Sequence, residues 1–163
     1  MLFIQTVANP LLLNYYNDVE IIQYAQMKRQ KANKYLESII TLGFDYLILA
    51  DIDEEASVKQ KKNKIKARFD EAAFNNMVIV IAEIESWFVA GIPTELLNKW
   101  GIKNFERTEL LVKEEFNQLY GSKFRSRIDF MQEILKYYSI DTAIEKNVSF
   151  NFFYKSFLNP EKQ

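Results

Sequence analysis

Apolar and polar positions along this chain follow two different periods in turn. The opening "LFIQTVAN" reads as a strand, stopped by Pro10. Asn17 stands three residues before Glu20 in a capping-box-like arrangement. Ile21, Ala25, Ala32, Leu36, Ile39 and Ile40 then predict a long amphipathic helix, ended by Gly43 at the position that favours a left-handed residue. The apolar run Phe44–Asp53 predicts a second strand. A lysine-rich helix follows, with Val58, Ile65, Phe69 and Ala73 as its inner stripe, and Met77–Glu85 predicts a third strand. Beyond Trp87 short helical patterns begin near Thr94, Thr108, Ser126 and Ser149, with Gly101 and Gly121 ending the first two.

Two strand–helix–strand units imply parallel pairing with right-handed crossovers. The expected fold class is therefore α/β: a mainly parallel, Rossmann-like sheet of roughly three to five strands flanked by helices on both faces. Neither a linker nor a repeat interrupts the chain. A single domain over residues 1–163 is expected, with an α/β core at 1–92 and a C-terminal helical annex at 93–163.

The second and third strands both run into acids two residues apart. At a period of two, Leu47, Leu49, Asp51 and Asp53 share one face, and Met77, Ile79, Ile81, Glu83 and Glu85 share another. The carboxyl ends of parallel strands are where open sheets bind ligands. On neighbouring strands, four carboxylates would converge and repel one another unless a divalent cation neutralised them. Mg²⁺ prefers such oxygen ligands. The alternative is that the acids merely end their strands, with Asp53, Glu54 and Glu55 serving the start of the next helix.

Composition narrows the chemistry. Of 163 residues 48% are apolar and 15% aromatic, enough for one folded core. The net charge of −1 gives no global attraction to nucleic acid or membrane, so any such binding must come from local patches. Without cysteine or histidine there is no thiolate chemistry, catalytic triad or HExxH site. The four glycines are isolated, so neither a P-loop nor GxGxxG is present. No basic leader and no apolar run of membrane-spanning length occurs, which predicts a soluble cytoplasmic protein without a membrane partner.

The segment "YLILADIDEE" resembles the DxD motif of the Toprim fold, shared by topoisomerases, bacterial primases and overcoming-lysogenization-defect nucleases. More narrowly, "VIVIAEIESWFVAG" and "KNVSFNFFYKSF" are similar to Toprim-like bacterial proteins often paired with ATPases in phage-defence loci. The resemblance implies a Toprim-like fold with Mg²⁺ (or Mn²⁺) as cofactor. It implies Asp51, Asp53 and Glu85 as catalytic residues, and those three with Glu83 as metal ligands. Nucleic acid would be the substrate and an ATPase a possible partner. The chain departs from the family pattern at its first strand, where Gln5 and Asn9 stand but no acid. An amide cannot exchange a proton near neutral pH. Either Glu83 or Glu85 takes that role in a metal-dependent nuclease, or the chain is a binding module or ATPase partner subunit without turnover.

Lys59, Lys61, Lys62, Lys64 and Lys66 follow the DxD motif and form a candidate phosphate-tracking surface. A solvated helix face balancing local acids is the other reading. Lys28, Arg29, Lys31 and Lys34 would join that patch if both helices lay on one side of the sheet. Trp87, Phe88, Phe150, Phe153 and Phe157 are expected in the core, and Ser149 as a helix cap.

Overall fold

A computed structural model describes residues 1–121 and 123–159. The chain forms two compact units, Glu20–Val80 and the two flanking stretches, Met1–Val19 with the chain from Ile81 onward. This division differs from the expected core at 1–92 with its annex. The first nineteen residues fold with the helical second half, not with the sheet.

In the unit Glu20–Val80, strands β1 (Ile48–Asp51) and β2 (Met77–Val80) pair in parallel, with Ile48 opposite Met77 and Asp51 opposite Val80. The fold is α/β with parallel pairing, as the crossover pattern predicts. Among the described residues, however, the sheet has two strands and not three to five. Helices α2 (Arg29–Thr41) and α3 (Val58–Arg68) both cover one face of it. Ala32 and Leu36 from α2 and Ile65 from α3 pack with Phe69, Ile48, Met77 and Ile79 in one buried cluster. Gly43 follows α2 with φ of 73°, a conformation that glycine adopts without penalty. The inner stripe of α3 is partly corrected: Ala72 is buried, whereas Ala73 and Val58 are exposed.

Helix α2 begins at Arg29, well after Asn17 and Glu20. Arg68 explains the late start. Its guanidinium donates to the carbonyls of Tyr24 and Met27 at 3.0 and 2.8 Å. The Tyr24 carbonyl, which also accepts the Met27 N–H in the 3₁₀ turn Tyr24–Gln26, and the Met27 carbonyl are thereby engaged before α2 begins.

The other unit is helical. Its opening segment, expected as a strand, is a π-helical turn at Ile4–Ala8 leading into α1 (Asn9–Leu12). A short apolar run does not distinguish the two periods. Here Phe3, Val7 and Ala8 are buried at helical spacing, and Pro10 follows directly on the π-helical turn. Helices α4 (Glu85–Ala90), α5 (Thr94–Trp100), α6 (Lys113–Leu119), α7 (Arg127–Lys136), α8 (Ile140–Lys146) and α9 (Val148–Phe153) follow. Starts at Thr94 and Ser126 agree with the sequence. The helix expected near Thr108 begins instead at Lys113, and Asn147, not Ser149, caps α9.

Aromatic rings fill this unit's core. Phe3 meets Trp87, Phe88, Tyr138 and Phe150 edge-on, with centroids 5.1–5.9 Å apart. Gly91 lies directly against the Tyr138 ring, whose hydroxyl donates to the Trp87 carbonyl at 2.9 Å. A side chain at position 91 has no room beside that ring. Gly91→Ala is expected to lower unfolding free energy by about 1–3 kcal/mol through overpacking, read by urea denaturation.

Candidate functional site

The four predicted site acids divide between the two units, Asp51 and Asp53 in one and Glu83 and Glu85 in the other. Asp51 ends β1 and is half-buried. The ladder continues one residue past it, through the Ile52 N–H to the Val80 carbonyl at 2.9 Å. Asp53 then turns into the left-handed region at φ 52°. Its carboxylate forms an ion pair with the ammonium of Lys61. Lys61 is itself buried, so it is not placed to follow a phosphate backbone. Both aspartates leave their mark on Tyr24: burial raises its hydroxyl pKa, Arg68 opposes that, and Asp51 and Asp53 add to the rise.

Strand β2 stops at Val80, so the third acid-tipped strand is shorter than Met77–Glu85. Ala82 adopts φ of 58°, which breaks the alternation that would have put Glu83 and Glu85 on one strand face. Glu83 lies in the turn that follows, and its carboxylate accepts the backbone N–H of Lys113 at the start of α6. Glu85 opens α4, is 4% exposed, and forms an ion pair with Arg127 at the start of α7. The Arg127 guanidinium also faces the Phe116 ring, 6.0 Å from its centroid.

A divalent ion held by these acids would need uncompensated carboxylate charge. Lys61 neutralises Asp53 and Arg127 neutralises Glu85, while Glu83 spends its charge on a helix terminus. As arranged, Asp53, Glu83 and Glu85 each already meet a positive group. Among the described residues no group of three or more acids is placed to hold a metal ion.

The lysines after the DxD motif separate into two kinds. Lys61 and Lys64 pair with acids just before the helix, Lys64 with Glu55 at 2.6 Å. That hydrogen bond and charge raise the Lys64 pKa. Lys59, Lys62 and Lys66 occupy another stripe of α3 at spacings of three and four. Lys62 donates to the Phe74 carbonyl at 2.8 Å, and partial burial lowers its pKa. Lys66 lies over the Phe74 ring, 5.3 Å from its centroid. Phe74 was not among the residues that the sequence singles out. Its one signal there is a lone aromatic followed by Asn75 and Asn76, just before a strand.

Ser149 has no nucleophilic setting. Its hydroxyl accepts from the Trp87 indole at 2.8 Å and from the Ile81 amide at 3.3 Å, and donates to Asn147 Oδ1 at 2.8 Å. Asn147 Nδ2 reaches Thr108 at 3.0 Å and Ser86 at 3.3 Å. The Asn-x-Ser segment is a buried node of hydrogen bonds.

Among the described residues no helix is long and apolar enough to cross a membrane. No protein-family model, no curated protein and no solved structure matches the chain.

The Glu85–Arg127 pair yields a thermodynamic expectation. Arg127→Ala leaves a buried carboxylate without its partner and should cost about 2–3 kcal/mol, less than a fully buried pair because the arginine is 33% exposed. In a Glu85→Gln background the same substitution should cost clearly less. Urea denaturation of the four proteins measures the coupling.

Proposed function

We propose that this chain is a nucleic-acid-binding module of Toprim-like descent, whose site acids stabilise the fold and do not turn over a substrate. The observation that carries the reading is the ion pair between buried Glu85 and Arg127. Glu85, one of the three acids that the resemblance assigns to catalysis, already has an internal cation as its partner. The missing acid in the first segment supports the same conclusion, since Gln5 and Asn9 supply no proton-exchanging group there.

Support for nucleic acid comes from charge placement. Helices α2 and α3 cover the same face of the sheet, so the exposed Lys28, Arg29, Lys31 and Lys34 lie on the same side of it as Lys59, Lys62 and Lys66. The unit Glu20–Val80 also carries acids, so attraction would be local and strongly screened by salt.

The rival reading is a Mg²⁺- or Mn²⁺-dependent nuclease, and it predicts opposite outcomes. Under the proposal, calorimetric titration with millimolar Mg²⁺ or Mn²⁺ shows no saturable binding to the wild type, and Asp51→Asn changes nothing. Oligonucleotides are bound in low salt and remain uncut. Replacing Lys59, Lys62 and Lys66 by Ala weakens binding and flattens its salt dependence by about 0.7–0.9 for each phosphate no longer neutralised. Metal-dependent cleavage that disappears in Asp51→Asn would establish the nuclease instead.

A further inference from the structure

We infer that Phe74, together with Lys59, Lys62 and Lys66, forms a subsite for single-stranded nucleic acid, with an unpaired base stacking on the ring and the lysines holding its phosphates. This inference rests on the nucleic-acid reading above and adds the form of the strand and the residue that selects it.

The geometry is local to the turn between α3 and β2. Phe74 begins a 3₁₀ turn, Phe74–Asn76, that leads directly into β2. Its neighbours Ala72 and Met77 are buried, yet Phe74 itself is 40% exposed. A single exposed phenylalanine is ordinary by itself. Here two ammonium groups converge on it from successive turns of one helix. Lys62 is fixed to the residue's own carbonyl at 2.8 Å, and Lys66 stands over its ring at 5.3 Å. Lys59 continues the stripe three residues before Lys62, and the three Cα atoms span about 10 Å along the helix.

Such a combination discriminates between strand forms. In a duplex the base faces are covered by neighbouring base pairs, so an aromatic ring gains nothing from them. In a single strand a face is free, and stacking on an aromatic side chain adds affinity whatever the base. The cations serve the backbone in both forms. Lysines alone therefore predict equal treatment of single and double strands at matched charge, whereas the ring predicts a preference. Lys62 also fixes the backbone of the turn that carries Phe74.

Fluorescence anisotropy with oligothymidylate, the matching duplex, an abasic strand of equal length and a polyglutamate peptide provides the test. Wild type should bind oligothymidylate about tenfold or more tightly than the abasic strand. Phe74→Ala should abolish that advantage and leave duplex binding unchanged, while Phe74→Tyr should retain it, which separates loss of stacking from misfolding. Equal losses for single strand and duplex in Phe74→Ala, or no loss in either, would overturn the subsite while lysine-dependent binding kept the broader reading intact. Polyglutamate bound as tightly as oligothymidylate would overturn the subsite too, since only charge would then be recognised. Absence of binding to every nucleic acid in low salt would overturn both.

Discussion

Trp87 needs an acceptor for its indole N–H in a core that otherwise offers rings and methyl groups, and Ser149 supplies it. Much of the helical unit follows from that requirement. A buried hydroxyl must itself be satisfied, so Ser149 donates to Asn147, and Asn147 in turn caps α9 and holds Ser86 and Thr108. The same hydroxyl accepts the Ile81 amide, which fixes the chain where this unit's second stretch begins. Around this polar centre Phe3, Phe150 and Phe153 close edge-on or stacked against the indole. Removing one member leaves the others unsatisfied in a dry interior, and that is far costlier than the bond itself.

Asp53, Glu83 and Glu85 answer a different need. Each stands near a helix start, where positive charge from lysine, arginine or backbone amides is close at hand. Asp53 meets Lys61, Glu85 meets Arg127, and Glu83 meets the α6 terminus. Spaced carboxylates look like a metal site when only their own segment is read. Their partners lie eight, thirty and forty-two positions further on in the chain, at Lys61, Lys113 and Arg127, and no local pattern announces them. That is why the acids were legible in the sequence and their pairing was not.

Local chemistry was legible wherever a short segment decides its own conformation. The left-handed glycine after α2, the serine cap of α7 and the buried aromatics of α9 follow from nearby residues, and the parallel pairing of β1 with β2 follows from the strand–helix–strand order. The errors lie where distant groups decide. "LFIQTVAN" has the apolar content of a strand, but burial of Phe3 among Trp87, Tyr138 and Phe150 selects a helix. Residues 21–28 have helical spacing, but Arg68 takes the carbonyls of Tyr24 and Met27. Ala82 shows the same limit: no alanine signals a positive φ, so the end of β2 was invisible.

The division of the chain also sets an order of events in time. Glu20–Val80 is continuous, and no loop within it is longer than the unit itself, so its loops close at smaller entropic cost than one joining the two flanking stretches. The other unit joins the two flanking stretches, and Phe3 finds its full set of ring neighbours only after Phe150 has been made. During synthesis the sheet unit can therefore fold on the ribosome, while the first nineteen residues wait with their apolar side chains uncovered. Chaperone dependence, if the chain has any, would concentrate on that waiting segment.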